Sequence, residues 1–344
     1  MPNSGGRIVL LPGDGIGPEV AAEARLVLEL LAPDVVLDER LIGAAAIRAT
    51  GSPLPDETRD ACLASVAVLK GPVGDPEFDG ADVRPEQGLL GLRAALDTYA
   101  NLRPAVADSV DVLIVRELVG GLYFGASGVR EDGTAFDTCE YTPAQIERVV
   151  RRAFRLAQAR RGHLTSVDKA NVLETSRLWR RIVDAVAPEY PNVRVEHLLV
   201  DNAAMQLASA PERFDVIVTE NMFGDILSDL AGELAGSLGI APSVNSSLTQ
   251  AMAQAAHGSA PDIAGRDIAN PIAMILSAAM LLEWLGGRHD DDRLAQAAQL
   301  IRTAVDTTVA AGTGTGDLGG SASTSGFAAA VAAAIEASTA AVHG

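Results

Sequence analysis

Two aspartates, Asp225 and Asp229, lie four residues apart in the segment Phe223-Gly-Asp-Ile-Leu-Ser-Asp229. Helical spacing would place both carboxylates on one face of a helix, where they repel each other unless a cation lies between them. Mg²⁺ and Mn²⁺ prefer oxygen ligands, so the pair suits a divalent metal site, and an exposed acidic helix face is the alternative. A third acid, Asp201, follows the apolar run Val193–Val200. It is a candidate further ligand, because open α/β sheets bind ligands at the carboxyl ends of their strands.

A lysine follows another apolar run, in the segment Asp168-Lys169-Ala170-Asn171. This run predicts a strand, so Lys169 would also lie at a carboxyl end. The lysine could act as a general base if a nearby divalent ion and arginines disfavoured its ammonium form. A lysine in contact with solvent only is the alternative interpretation.

Three arginines, Arg93, Arg103 and Arg116, each lie in apolar surroundings along the chain. An unpaired guanidinium there would be costly, so each should meet an anion. Internal Asp or Glu partners would satisfy this, and so would a dicarboxylate ligand held by bidentate contacts. Tyr123 follows closely and could donate a proton, although a buried tyrosine with a satisfied hydroxyl is the commoner case.

Composition narrows the class of protein. The 344 residues suit two domains, and 45 Asp and Glu against 27 Lys and Arg give a net charge of −18. Such a surface repels polyanions, which argues against nucleic-acid binding. Two cysteines, Cys62 and Cys139, show no metal-ligand spacing and indicate a reducing compartment. The apolar runs fit neither a signal peptide nor a membrane span, so we expect a cytoplasmic protein without membrane contacts.

Apolar runs alternate with amphipathic segments, which predicts an α/β fold with an open, mostly parallel sheet flanked by helices. The predicted strands are Arg7–Leu11, Val66–Lys70, Val112–Arg116, Leu164–Val167, Val193–Val200 and Phe214–Thr219. The predicted helices are Pro18–Leu31, Pro143–Arg161, Asn221–Leu238, Pro271–Leu285, Asp292–Ala310 and Gly326–Ala341.

Turn-rich stretches near Pro72–Pro85 and Ala241–Ser259 bracket the middle third of the chain. They predict two domains: residues 1–98 with 236–344, and an inserted central domain of residues 99–235. The glycine run at 13–17 predicts a tight turn, either structural or close to a ligand. Gly314, Gly316 and Gly319 have dinucleotide-site spacing, but no predicted strand precedes them, so they do not indicate a Rossmann site.

Taken together, these residues resemble the 3-isopropylmalate dehydrogenase family of β-decarboxylating dehydrogenases. The resemblance runs from LPGDGIGPE at 11–19 to DLGG at 317–320, nearly the whole chain. Its most specific segments are LLGLR at 89–93, ANLRP at 100–104, VREL at 115–118, SVDKANVLE at 166–174, NMFGDILSDL at 221–230 and HGSAPDIAGRDIANP at 257–271. It implies an isopropylmalate-dehydrogenase-like fold of two domains with a non-Rossmann NAD site.

The resemblance also implies roles for the residues named above. Arg93, Arg103 and Arg116 would bind the malate carboxylates. Asp225 and Asp229 would hold Mg²⁺ or Mn²⁺ together with Asp201 of the partner subunit, in a homodimer with shared active sites. The central domain would carry this metal site and the dimer interface. Substrate contacts are further implied for Asp225, for Asn171, which would reach across the interface with Lys169, and for Leu89 and Leu90, which suit an isopropyl group.

The catalytic pair implied is Lys169, which would deprotonate the C2 hydroxyl, and Tyr123, which would protonate the enol left by decarboxylation. The domain formed by residues 1–98 and 236–344 would bind the cofactor. The residues implied for this are Ile16, Glu86, His257, Gly258, Ser259, Ala260, Pro261, Asp262, Ile263 and Asn270. Asp262 favours NAD over NADP, because a carboxylate accepts from a ribose 2′-hydroxyl and repels a 2′-phosphate.

One segment departs from the family. Where relatives have Glu-Pro-x before the histidine, this chain has Gln254-Ala255-Ala256. The implied activity is NAD-dependent oxidative decarboxylation of (2R,3S)-3-isopropylmalate to 4-methyl-2-oxopentanoate, in leucine biosynthesis. The altered segment motivates one alternative, a paralogue acting on another 3-substituted malate, malate or tartrate. A catalytically idle ligand-binding paralogue is a third hypothesis, disfavoured by the retained acids, lysine and tyrosine.

Overall fold

The structure, a computed structural model, describes residues 6–107 and 110–343. The chain forms two compact units, the first comprising residues up to 96 with 237–244 and 248 onward. The second unit comprises residues 97–236 with 245–247. Two segments of the chain therefore leave one unit and return to it.

The described residues form twelve strands and eleven α-helices. The strands are β1 (Arg7–Leu11), β2 (Val36–Glu39), β3 (Ala67–Lys70), β4 (Ala100–Ala107), β5 (Val110–Glu117), β6 (Ser127–Val129), β7 (Ala135–Asp137), β8 (His163–Asp168), β9 (Arg194–Leu199), β10 (Val216–Thr219), β11 (Pro242–Ser246) and β12 (Ala251–Ala255). The helices are α1 (Gly17–Leu31), α2 (Gly43–Thr50), α3 (Asp56–Ala64), α4 (Pro85–Ala95), α5 (Pro143–Ala159), α6 (Glu174–Val186), α7 (Val200–Ser209), α8 (Asn221–Leu234), α9 (Ile272–His289), α10 (Asp292–Ala310) and α11 (Thr324–His343).

In the first unit the strand order is β2-β1-β3-β12-β11. β1 pairs in parallel with β2 and β3, and β12 pairs in parallel with β3. Every residue of β3 is buried, as expected for a parallel strand covered on both faces. Val9, Val68, Leu92 and Met252 belong to one core cluster beneath these strands. Helices α1, α9, α10 and α11 pack around one another beside the sheet.

In the second unit the order is β4-β5-β10-β8-β9. β4 and β5 are antiparallel, whereas β5–β10, β10–β8 and β8–β9 are parallel. Helix α8 packs against β4 and β5, and its Leu227 and Ala231 join a core with Ile114 and Ile217. This packing fixes the position of the opposite, polar face of α8. A separate hairpin joins β6 and β7.

The predicted fold class is confirmed, since helices flank mostly parallel strands in each unit. Each predicted strand and helix overlaps an observed one, although the strand predicted to reach Val200 ends at Leu199 because α7 begins there. The turn predicted over 241–259 is wrong, because β11 and β12 occupy much of it. Polar residues made these strands hard to recognise from the sequence. The hydroxyls of Ser243 and Ser277 both donate to the Gln254 carbonyl, which allows both serines to be buried. No helix in the described ranges is long and apolar enough to cross a bilayer.

Candidate active site

In the second unit, one face of α8 brings two carboxylates against two guanidinium groups. Asp225 and Asp229 lie about one helical turn apart. Arg103 Nη1 contacts Asp229 Oδ1 at 2.5 Å, and its Nη2 is 3.5 Å from Asp225 Oδ1. Arg116 Nη1 donates to the same Asp225 oxygen. Internal carboxylates therefore partner Arg103 and Arg116, one of the two alternatives open from the sequence.

The strands and α8 together position these guanidinium groups. Arg103 and Arg116 lie on the antiparallel strands β4 and β5, and both are buried. Arg116 Nε and Nη2 donate to Asn221 Oδ1 at 2.9 and 2.7 Å. Gly224 makes room for this arginine, because a Cβ there would approach Arg116 Cγ to 2.6 Å. The glycine in the FGD segment is thus a packing requirement for the arginine site.

Tyr123 lies at the same cluster. Its hydroxyl donates to Asp225 Oδ2 at 3.2 Å, and Arg116 lies over its ring at 5.7 Å from the centroid. The hydroxyl is thus satisfied, but the side chain is 40% exposed, so the alternative of a buried tyrosine is wrong. An accessible phenol beside a carboxylate and a guanidinium can exchange a proton with a bound ligand.

In this cluster, burial and the neighbouring charges have opposite effects on the pKa values of the side chains. Burial raises the pKa of Asp229, and the neighbouring Arg103 opposes that rise. Burial also lowers the pKa of Arg116, against the effect of Asp225. Carboxylate oxygens suit a hard cation, so Asp225 and Asp229 fit as two ligands of Mg²⁺ or Mn²⁺. Within the described part of the chain, no group of three or more His, Cys, Asp or Glu side chains could hold a metal ion.

Lys169 and Asp201 form a second feature of this unit. Lys169 follows β8, and its Nζ lies 2.6 Å from Asp201 Oδ1. Asp201 lies in the first turn of α7, and the hydrogen bond from Lys169 lowers its pKa. The turn after β8 is held by Arg180, which donates twice to the buried Asp168 carboxylate. Asn171 is exposed in the same turn.

The remaining substrate residues of the sequence analysis lie in the first unit, on α4. Leu89 and Leu90 are half-buried and Arg93 is buried. Glu86, at the start of the helix, carries a carboxylate beside Gly74, since a Cβ on that glycine would lie 3.1 Å from Glu86 Oε1. Positions 86, 89, 90 and 93 follow helical spacing, so one side of α4 presents all four residues.

A cavity of about 680 Å³ lies within the first unit. Of the predicted cofactor residues, those lining it are Ile16, His257, Gly258, Ala260, Ile263 and Asn270. Ser259, Pro261 and Asp262 lie between them in the same loop, whereas Glu86 does not line the cavity. Burial lowers the pKa of His257, and its Nε2 is buried without a hydrogen-bond partner among the described residues. A neutral imidazole facing a cavity suits an uncharged polar part of a dinucleotide.

The turn at residues 13–17 lies beside this cavity and packs against the backbone at Pro72 and Ser259. Gly13 and Gly15 have positive φ, and a Cβ on either would lie 2.0 Å from a carbonyl oxygen, of Pro72 and Ser259 respectively. The amide of Ile16 donates to the Ser259 carbonyl at 2.8 Å, which ties the turn to the loop after β12. The glycines are required for backbone packing, and the turn they form places Ile16 in the cavity wall.

One carboxylate in the cavity wall, Asp317, was not predicted from the sequence. Its Oδ2 accepts from Asn270 Nδ2 at 2.9 Å and from Ser237 Oγ at 3.0 Å. Burial alone would raise the pKa of Asp317, but these bonds and one from Thr315 hold it below its usual value. The glycines at 314–319 were the sequence feature that could have directed attention to Asp317. The segment is no Rossmann motif, yet Gly316 and Asp317 line the cavity.

The chain is similar in sequence to known dehydrogenases. The family model described as isocitrate/isopropylmalate dehydrogenase matches residues 7–331. The chain is 50% identical over 339 residues to the 3-isopropylmalate dehydrogenase of Shouchella clausii, covering 91% of each protein. It is 49% identical to that of Bacillus subtilis, again over 91% of each.

Solved structures agree at the level of fold. A crystal structure of isocitrate dehydrogenase from Methylococcus capsulatus matches with a TM-score of 0.89 and 39% identity, over 96% of this chain and 99% of that one. A β-decarboxylating dehydrogenase from Thermococcus kodakarensis matches with a TM-score of 0.82 and 42% identity, over 96% of both chains. This chain belongs to the isocitrate/isopropylmalate dehydrogenase family.

Proposed function

We propose that this protein catalyses the NAD-dependent oxidative decarboxylation of (2R,3S)-3-isopropylmalate to 4-methyl-2-oxopentanoate, a cytoplasmic step of leucine biosynthesis. The names and identities of the relatives support the substrate. The observation that carries the proposal is the cluster in which Arg103, Arg116 and Tyr123 all contact the carboxylates of α8. Cations for a dicarboxylate, oxygens for a metal and a proton donor thus lie together.

The arginines would bind the substrate. Arg103 and Arg116 supply planar guanidinium groups suited to bidentate contacts with a carboxylate, and their burial strengthens each contact. Arg93 is the third proposed carboxylate ligand. Leu89 and Leu90 on the same helix would contact the isopropyl group, whose burial contributes about 2 kcal/mol. An additional carboxylate in that place, as in isocitrate, would meet apolar side chains.

Two side chains would move the protons. Lys169 would take the proton of the C2 hydroxyl, which makes loss of hydride from C2 easier. Tyr123 would give its proton to C3 of the enol that remains after CO₂ leaves, and solvent can restore it because the side chain is exposed. When bound, NAD⁺ accepts the hydride and the divalent cation polarises the C2 oxygen.

The metal site would be shared between two copies of the chain. Asp225 and Asp229 would supply one part, and Asp201 of the partner subunit the other, with Lys169 and Asn171 also crossing the interface. Exposed apolar side chains accompany these residues: Val172 near Lys169, Met205 one turn after Asp201, and Ile226 next to Asp225, each 59–67% exposed. Apolar side chains at such positions favour a covered interface in a homodimer.

NAD would occupy the cavity of the first unit. His257, Gly258, Ala260 and Asn270 line it, and Asp262 in the same loop would accept from the ribose 2′-hydroxyl. Residues 1–98 with 236–344 would thus form the cofactor-binding domain. Residues 99–235 would form the central domain with the metal site and the dimer interface.

A substrate panel tests the proposal. Formation of NADH would be measured with 3-isopropylmalate, malate, tartrate and isocitrate, with either nicotinamide cofactor and with Mg²⁺, Mn²⁺ or EDTA. We expect 3-isopropylmalate with NAD⁺ and a metal to give the highest kcat/KM. A far higher kcat/KM with another 2-hydroxy acid would contradict the proposed substrate. Turnover undiminished by EDTA would contradict the proposed metal requirement.

A further inference from the structure

The chain contains only two lysines, Lys70 and Lys169, among its 27 Lys and Arg residues. Lys169 belongs to the proposed catalytic machinery, whereas Lys70 has no role in it. Lys70 ends β3 in the first unit and is 2% exposed. Lysine, unlike arginine, can lose its charge when buried, so a lysine kept in an otherwise arginine-rich protein indicates a position where this property matters.

The hydrogen bonding around Lys70 is incomplete. Its Nζ donates to the Gly71 carbonyl at 2.6 Å, which uses one of the three donors of an ammonium group. Gln254 lies opposite it in the parallel register of β3 and β12. Opposite side chains share a face of the sheet, yet Gln254 Oε1 is buried and has no partner within the described ranges. A glutamate at 254 would give Lys70 a counter-ion, and the glutamine leaves its charge uncompensated.

The charges that face Lys70 do not balance it either. Asp14, in the turn after β1, is the nearby acid, but its oxygens already accept from the amides of Ala44, Ala45 and Gly74 at 2.9–3.0 Å. Arg93 on α4 is close enough for its charge to oppose that of Lys70.

A further titratable neighbour of Lys70 is His257 in the cavity wall, whose pKa is lowered further by the charge on Lys70. With burial first and Arg93 second, the pKa of Lys70 falls to about 7. A buried lysine whose nearby carboxylate is already committed to three backbone amides is a ready site for an anion.

We propose that Lys70 is an anion-binding residue of the first unit, which acts beside Arg93 and takes up a proton when the oxyanion of a ligand lies next to it. The ligand chemistry is a carboxylate or phosphate oxygen, supplied by the substrate or by the dinucleotide. The proposal rests on the proposed function for the identity of these ligands. Gln254 acts as a positioning residue: its uncharged amide lies opposite Lys70 and does not neutralise it, so the charge stays available for the ligand.

Two lysines make the test direct. In protein labelled with ¹³C at lysine Cε, the side chains give two signals, which Lys70→Met and Lys169→Arg assign by loss of one signal each. Titration of the free protein, of the protein with NAD⁺ alone and of the protein with 3-isopropylmalate alone would follow the Lys70 signal. We expect the Lys70 pKa to rise by about one pH unit or more with the ligand whose oxyanion it contacts. The Lys169 signal provides the internal reference for the cofactor arm.

A second variant covers the case that Lys70→Met does not fold. Gln254→Glu would place a carboxylate opposite Lys70, so the lysine would be charged already in the free protein and the ligand-induced rise would be smaller. A Lys70 signal unmoved by either ligand would overturn the proposal, as would an equal rise in Gln254→Glu. These outcomes do not depend on turnover. Wild-type protein that turns over with an unmoved Lys70 signal refutes this inference alone, and a moved signal without turnover refutes the proposed reaction alone.

Discussion

Tyr123 Oη donates a hydrogen bond to Asp225 Oδ2 over 3.2 Å, while the other oxygen of that carboxylate accepts from Arg116. The proposed proton donor is thus bonded to a proposed metal ligand. A cation binding at Asp225 would compete for the oxygen that now holds the phenol, so metal binding and the position of the tyrosine are coupled. Arg116, over the ring at 5.7 Å, keeps the ring in place during such a change.

Replacement of Tyr123 by phenylalanine removes the proton donor and keeps the ring over Arg116. We expect kcat to fall by about 10²–10⁴-fold, the usual contribution of a positioned acid. If protonation of the enol becomes the slow step, NADH forms in a rapid first turnover, which stopped-flow absorbance would detect. A kcat within about twofold of wild type would show that another group or water supplies the proton.

Replacement of Asp229 by asparagine removes the negative charge of one proposed ligand and of the group that contacts Arg103 at 2.5 Å. We expect the affinity for Mn²⁺ to fall by at least about tenfold, with a matching rise in the metal concentration needed for activity. Glu233→Gln is the matched control, because this exposed acid lies one turn further along α8. Equal Mn²⁺ affinity for Asp229→Asn and the control would contradict the assignment.

Mixing two inactive variants tests whether active sites are shared. In the proposed dimer, Lys169 and Asp225 in any one site come from different chains. Unfolding and refolding Lys169→Ala together with Asp225→Asn should therefore give heterodimers with one intact site, and about a quarter of wild-type activity. If all site residues came from one chain, every site would lack one of them, and the mixture would stay inactive.

Apolar runs were enough to predict β1, β3, β5 and β10, because buried parallel strands are almost continuously apolar. They were not enough for β11, where Ser243 is buried because its hydroxyl donates to the Gln254 carbonyl of β12. Ser277, which donates to the carbonyl of Gln254, is 23 positions further along the chain. Such compensation is visible only once the strands are packed.

The site shows the same limit. The spacing of Asp225 and Asp229 predicts their common helix face, since it depends only on helical geometry. The buried state of Lys70 does not follow from its local sequence, because it depends on β12 covering β3 and on Gln254 lying opposite. Asp317 was missed because two of its three donors, Ser237 and Asn270, come from distant segments of the chain. The local sequence pattern predicts which residues share a face of a helix or strand. Packing between distant segments decides which polar side chains come together in a site.

The choice of cofactor should change with one residue. We expect Asp262→Lys to raise the ratio of kcat/KM for NADP⁺ over NAD⁺ by at least about tenfold, because the change removes repulsion of a 2′-phosphate and adds an attraction. Steady-state rates with both cofactors would measure it. Glu29→Lys, an equal change of charge at an exposed position of α1, is the control. A similar ratio in both variants would mean that Asp262 does not contact the ribose.

Stability should depend on pH through a buried carboxyl in the second unit. Glu220 is 3% exposed, accepts from Ser176 Oγ, and burial raises its pKa from 4.5 to about 7. Between these two values the unfolded chain has released a proton that the folded chain keeps. The free energy of unfolding therefore falls as pH rises through this range, by about 3 kcal/mol for this group, and stays low above it.

Glu220→Gln removes this titration while keeping a side chain of similar size. We expect the difference in unfolding free energy between pH 5 and pH 8, measured by urea denaturation, to be smaller in the variant than in wild type by about 2–3 kcal/mol. Glu212→Gln replaces an exposed glutamate of the same unit, so it should retain the wild-type difference. If Glu220→Gln also retained it, the carboxyl would be ionised within the folded protein at pH 5, and burial would not govern its proton.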